Sequence, residues 1–259
     1  VNPANFAEPS GFAGNSTGGS STDPRPFDLE GLKEKVKNKM KNRQFAEALT
    51  LLSLAYDNPD VSPNDEMYIV QILDTLAGEV IYSRNHSLEE PHIVKADETL
   101  ETIADAHHVP ALLLMRINGL RNPQSLAPGT TLKTVPGPFN AQISVRHMEM
   151  TLMLGGRYAG RFPVNLGSDP NRLIGMYTVR NKRSTIDTPV SSAEAAQGLG
   201  KPWIDLGDQT RSAHLNLQGA ADLRLAGQGG GSATVYLSDQ DMDDVYGILS
   251  IGSSVVIQR

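Results

Sequence analysis

The residues of this chain whose types and spacing could do chemistry gather toward its carboxy-terminal end. Ser232 and Thr234 offer two hydroxyls one residue apart, Thr234 lies 16 residues beyond Gln218-Gly219, and Ala233 and Tyr236 complete the group. A hydroxyl is a weak nucleophile at neutral pH and needs an adjacent base to take its proton. The six histidines (His86, His92, His107, His108, His147 and His214) are scattered, and none adjoins Ser232 or Thr234. His214 is the nearest in sequence. On a strand it lies four residues before Gln218, about 13 Å away at strand rise, which is too far for proton transfer to that position. His107-His108 are adjacent on an expected helix and so face different sides. The chain contains no cysteine, which removes disulfides, thiolate catalysis and cysteine-based zinc or iron–sulfur sites together. No metal and no cofactor are expected.

The bulk composition bounds what can surround these residues. The 259 residues allow one large domain or two to three small ones, and 24 Gly with 16 Pro against 5% aromatics favour small loop-rich units. A formal charge of −6 with both signs mixed gives no basic stripe, so nucleic acid is not an expected partner. No run of about 18 apolar residues exists to span a membrane. The chain begins at Val1, and the expectation is that an upstream segment carrying an export signal or anchor was removed.

Four segments follow from patterning. Residues 1–27 are rich in Gly, Ser, Asn, Thr and Pro and are expected to be a disordered linker. Residues 28–88 read as three helices, a bundle or tetratricopeptide-like arrangement. Leu29, Leu32, Val36 and Met40 form the first stripe, and Phe45, Leu49, Leu52 and Tyr56 the second, stopped by Asn58-Pro59. Met67, Val70, Leu73, Leu76 and Val80 form the third, begun at Ser62-Pro63. Lys33, Lys35, Lys37, Lys39 and Lys41 alternate, so on a helix they spread around the cylinder as a solvated surface. Residues 89–136 read as strand, helix, helix and strand: Thr99 caps a run with Leu100, Ile103 and Ala104, then Leu112, Leu113 and Ile117, and Pro128-Gly129 turns into Thr131–Val135. Residues 137–259 carry short alternating strands, a Gly155-Gly156 hairpin and one helix from Asp239 to Leu249.

Residues 89–136 resemble a LysM module. Asp97-Glu98-Thr99-Leu100, Ile103-Ala104, Leu114 through Asn118-Gly119-Leu120, and Leu126-Ala127-Pro128-Gly129 stand in that module's order. The resemblance implies binding of peptidoglycan or another N-acetylglucosamine-containing glycan. The implied groove lies between the first turn and the loop after the second helix and involves Asp97, Glu98, Thr99, Asn118, Leu120 and Arg121. The module's usual Gly-Asp is Asp97-Glu98 here, which charges the groove rim.

From about Asn140 to Arg259 the landmarks resemble the L,D-transpeptidase (YkuD) family. They are the hairpin Arg157–Val164 with Leu166-Gly167-Ser168, the strand Leu173–Val179, the segment Gly198–Leu206 around Trp203, and the close Leu237–Asp241 through Gly252–Ile257. The resemblance implies a mostly-β sandwich and, in active members, a cysteine nucleophile in a Ser-His-Gly-Cys motif with an upstream His-Gly. Here Thr234 stands at the cysteine, Ala233 at the glycine, Ser232 at the histidine, Tyr236 at the usual arginine and Gln218-Gly219 at the upstream His-Gly.

The expected fold is therefore multidomain α+β: a helical bundle, a LysM βααβ module and an L,D-transpeptidase-like sandwich. The leading functional expectation is a peptidoglycan-binding protein of the bacterial cell envelope whose transpeptidase-like domain has lost its chemistry, with a cleft at Trp203, Gln218 and Thr234 left to hold a ligand. Two alternatives stay open: a peptidoglycan cross-linking enzyme that uses Thr234 or Ser232, and an adaptor whose helical segment meets a protein partner.

Overall fold

The computed structural model describes residues 27–184, 201–208, 214–227 and 233–259. Residues 1–26 of the expected 1–27 linker, Ser232 and residues 228–231 and 198–200 lie outside these described residues.

Three helices open the described chain: α1 (Leu29–Lys41), α2 (Phe45–Ser53) and α3 (Pro63–Ala77). Asp28 caps α1 by accepting the Gly31 N–H at 2.9 Å, and Ser62 caps α3 by accepting the Asp65 N–H, with Pro63 in the first turn where no N–H is needed. The first stripe buries Leu32 and Val36. On α3 the buried stripe is Ile69, Val70, Leu73, Leu76 and Ala77, whereas Met67 is 61% exposed. Counting back from Leu73 by three and four reaches Val70 and Ile69, and the turn before them sets half-buried Asp65 and Glu66 on the stripe, so Met67 falls beside it. α2 stops at Ser53, before Asn58-Pro59, so Tyr56 lies beyond the helix and reaches the β domain instead. α3 continues into one π-helical turn, Gly78–Tyr82. The lysines of α1 are spread as expected, and Lys33 pairs with Glu30 and Asp65 while Lys39 pairs with Glu47.

The next unit is β1 (His92–Ile93), α4 (Leu100–Ala106), α5 (Ala111–Asn118) and β2 (Thr131–Leu132), with β1 and β2 antiparallel. Thr99 and Thr102 form a reciprocal capping box at the start of α4. α4 ends at Ala106, so His107 caps it and His108, at φ 56°, lies past it. The two histidines are thus not neighbours on a helix face. His107 Nδ1 meets Glu89 at 3.1 Å, and the His108 carbonyl accepts from Ser250 Oγ.

The remaining strands are β3 (Phe139–Ser144), β4 (Glu149–Leu154), β5 (Arg157–Pro163), β6 (Gly175–Arg183), β7 (Trp203–Asp208), β8 (His214–Ala220), β9 (Thr234–Ser238) and β10 (Ser254–Gln258), with helix α6 (Asp239–Ile248) between the last two. They form one eight-stranded sheet in the order β5-β4-β3-β10-β6-β7-β8-β9, in which β3–β10 and β8–β9 are the parallel pairs. Asn165, just past β5, bridges Tyr236 of β9. The two edges of the sheet approach through that bridge, so the layers of the β domain come from a single sheet curled into a nearly closed barrel.

The α+β segments share one continuous core, which runs from Leu32 and Leu49 through Leu100 and Leu114 to Phe139, Leu217 and Ile257. Edge strands invite unwanted pairing, and here the helices cover much of β5. Ser53 Oγ accepts the Tyr158 N–H at 2.9 Å, Tyr82 OH donates to the Ala159 carbonyl at 2.6 Å, and Tyr158 OH donates to Asp74.

Candidate functional site

Strand register assembles most of the residues singled out near the carboxy terminus on one face. Arg183 stands opposite Trp203, Trp203 opposite Gln218, Gln218 opposite Tyr236, and Tyr236 bridges Asn165. Directly opposed residues share a face, so these five make a row across the sheet. A second row runs Asn181–Asp205–Asn216–Thr234. The opposite face confirms the orientation: Ile204, Leu217 and Val235, opposed in the same way, are fully buried. The outer rows are polar with two aromatics, and the Arg183 guanidinium lies 5.7 Å from the Trp203 ring centroid, within cation–π range. Asp205 and Asn216 were not among the residues anticipated, although the period-2 alternation of β7 and β8 carries the signal for them.

Beside these rows lies a cavity of about 360 Å³, lined in part by Leu166, Ser168, Asp169, Arg172, Thr234 and Tyr236. Thr234 is 5% exposed. Asn165 builds the wall: its backbone exchanges both hydrogen bonds with Tyr236, its Nδ2 donates to the Leu223 and Ala226 carbonyls, and its Oδ1 accepts the Gly167 N–H. Gly227 packs against this wall at φ 77°, where a Cβ would lie 3.0 Å from Gly167 Cα and 3.3 Å from the Tyr236 ring.

Two findings alter the chemical reading. Gly219 approaches the first turn of α6 so closely that a Cβ would lie 2.6 Å from Asp239 Oδ1 and 3.3 Å from Asp239 Cα. A side chain here would have to displace the Asp239 carboxylate and press on the start of α6, which gives this glycine a packing role. The second finding concerns His214. It stays four residues from Gln218 along β8, but Thr234 is opposite Asn216, because the parallel strand β9 begins there. His214 is only two positions along β8 from Asn216, which puts its backbone roughly 8 Å from that of Thr234.

The candidate glycan-binding residues divide into two kinds. Glu98 accepts from the Lys95 N–H at 2.9 Å and contacts His92 Nε2 at 2.7 Å. The Lys95 backbone bond, then the His92 contact, holds its carboxyl below the usual range. Thr99 is committed to the capping box. Asn118 donates to the Leu114 and Lys133 carbonyls and accepts the Lys133 N–H, so its amide knits α5 to the end of β2. Glu98 is anchored on β1 and Asn118 beside β2, and the two strands pair. Asp97 and Arg121 are exposed and Leu120 is half-buried, which leaves these three facing outward or nearly so. Lys133, which sequence reasoning passed over, is buried and donates through Nζ to the Val80 carbonyl at 2.7 Å. Burial lowers its pKa to about 8.

Among the described residues no helix is long and apolar enough to cross a membrane. No curated protein sequence matches the chain. Among solved structures it is similar to Bdellovibrio bacteriovorus Bd1075 (10% identity, TM-score 0.35, 46% of this chain and 47% of that one). It is similar also to an L,D-transpeptidase from Mycobacterium smegmatis (13%, TM-score 0.32, 51% and 64%) and one from Mycobacterium tuberculosis H37Rv (20%, TM-score 0.34, 51% and 64%). Each of these matches spans less than two thirds of the solved chain. Residues 92–134 match the LysM domain family. Within this chain, residues 92–134 are a LysM domain.

Proposed function

We propose that the protein binds peptidoglycan, or a glycan with the same N-acetylglucosamine units, in the bacterial cell envelope. The observation that carries this reading is the LysM match over residues 92–134. Its outward residues Asp97, Leu120 and Arg121 are the ones we assign to the glycan, while Glu98, Thr99 and Asn118 shape the loops that present them. The carboxy-terminal domain, residues 137–259, acts in this reading as a ligand-holding or positioning unit without thiolate chemistry, since the chain has no cysteine. Its Trp203–Gln218–Tyr236 row offers ring faces and amides to a ligand. Residues 28–88 serve as a structural brace. Their contacts with β5 favour that role over an adaptor that lends its face to another protein.

Co-sedimentation with purified peptidoglycan sacculi tests the glycan assignment. The double variant Asp97→Ala/Arg121→Ala, at two exposed positions, is expected to lower the bound fraction several-fold while melting at the temperature of the unaltered protein. Equal binding by the variant would count against these residues.

One observation favours a second reading, an acyl-transfer enzyme. Thr234 lines a cavity, and the register brings the backbone of His214 to roughly 8 Å from that of Thr234 across neighbouring strands. Incubation with a carbapenem followed by intact-mass measurement separates the two. The binding-protein reading predicts an unchanged mass. An adduct that appears with the full chain and disappears in Thr234→Ala would establish the enzymatic one.

A further inference from the structure

Among the described residues, part of the β5 edge is left uncovered. Val164 N–H bonds the Met148 carbonyl at 2.9 Å, which fixes the hydrogen-bonded positions of the β4–β5 ladder. Phe162 and Gly160 follow at the same alternation, so their main-chain groups turn toward β4. The N–H and C=O of Arg161, and the C=O of Pro163, therefore point away from the sheet. Upstream, the outer edge is taken at Tyr158 by Ser53 and at Ala159 by Tyr82. At Arg161 that cover ends and a cavity of about 390 Å³ begins.

This cavity lies where all the folded segments meet. Ala159 to Phe162 form one wall, Leu113 and Ile117 of α5 another, and Ile248 of α6 a third. Four charges surround the apolar lining: Arg116 and Arg161, Asp74 and Asp244. All four keep some contact with solvent, the side chains of Arg116, Arg161 and Asp244 being 40%, 42% and 50% exposed, and partial burial raises the pKa of the Asp244 carboxyl. Arg116 uses Nη1 on Asp244 and the Asp243 carbonyl, and Arg161 uses Nη1 on Glu149. A guanidinium presents further N–H donors in a fork that suits a carboxylate.

An open strand edge recognises main chain, and paired charges of both signs at one small cavity recognise a molecule carrying both. The volume falls at the low end of small-ligand pockets, which run from about 300 to 1,000 Å³. We infer that the junction cavity binds a short zwitterionic peptide of roughly two or three small residues. The peptide adds to the free edge of β5 at Arg161. Its carboxylate is held by Arg116 and Arg161, its ammonium by Asp74 or Asp244, and its side chains rest on Leu113, Ile117 and Phe162. The site is separate from the LysM loops and from the Trp203 row and stands or falls independently of the glycan reading.

Calorimetric titration of the full chain with tri-L-alanine tests the inference, together with amide hydrogen exchange at Arg161. Binding is expected, with slowed exchange of the Arg161 N–H. N-acetyl-trialanine amide, which lacks both charges, should bind about tenfold more weakly or worse, and so should tri-L-alanine to Arg161→Gln. Arg116→Gln provides the same reading should Arg161→Gln fail to fold. No binding at about 10 mM peptide would overturn the proposal. So would equal affinity for the blocked peptide, or Arg161 exchange unchanged at saturation.

Discussion

Lys133 puts an ammonium into the core with the Val80 carbonyl as its acceptor, and burial is the larger influence on its titration. Its folded-state pKa of about 8 lies below the ordinary 10.5. Between those values the unfolded chain holds the proton that the folded chain has shed, so stability contributed by this residue rises with pH across the window. Below about pH 8 both states are protonated, and the cost of the buried charge is fully present. Urea midpoints at about pH 7 and about pH 10 should therefore show the unaltered protein gaining on Lys133→Met as pH rises. A constant difference between the two proteins would contradict this account. Nothing in the sequence around Lys133 announced its role, because the carbonyl that accepts from it belongs to a π-helical turn 53 residues earlier. Thr99 was legible for the opposite reason, since a cap is a local event. Asn118 lies between these cases. Its place in the LysM pattern was visible, but the three hydrogen bonds that make its amide a structural tie came only with the fold.

At the level of elements, alternation and capping signals were enough to locate the strands around Gly155-Gly156, the closing strand and helix α6, and both helices of the LysM unit. Pairing was not legible. That Thr234 opposes Asn216, and that His214 is consequently near it, depends on a parallel partner chosen by the curl of the whole sheet. Met67 misled for a related reason: periodicity gives a stripe but not its edges, and Met67 falls to one side of the half-buried Asp65 and Glu66. The cover on β5 is likewise a relation between elements. Ser53 Oγ both donates to the Leu49 carbonyl and accepts the Tyr158 N–H, in a buried setting. Ser53→Ala should lower the unfolding free energy by about 1–3 kcal/mol through the unsatisfied Tyr158 N–H, measured by urea denaturation. An unchanged midpoint would show that the helices do not seal that edge.

Across the whole molecule, the LysM domain is fastened to its neighbours by contacts on several sides. Lys133 reaches Val80, Thr134 Oγ1 donates to Glu89, Arg116 pairs with Asp244, and Ser250 Oγ donates to the His108 carbonyl. These ties and the shared core make the domain a fixed part of the body, so glycan held by it would sit in a defined relation to the Trp203 row. The proposed attachment to the cell wall rests on the LysM domain and on this fixed mounting. Co-sedimentation of the intact chain with purified peptidoglycan sacculi tests that claim most directly. The account predicts that the protein pellets with the sacculi, and that soluble N-acetylglucosamine oligomers release it. Protein that stays in the supernatant at every sacculus concentration would contradict it.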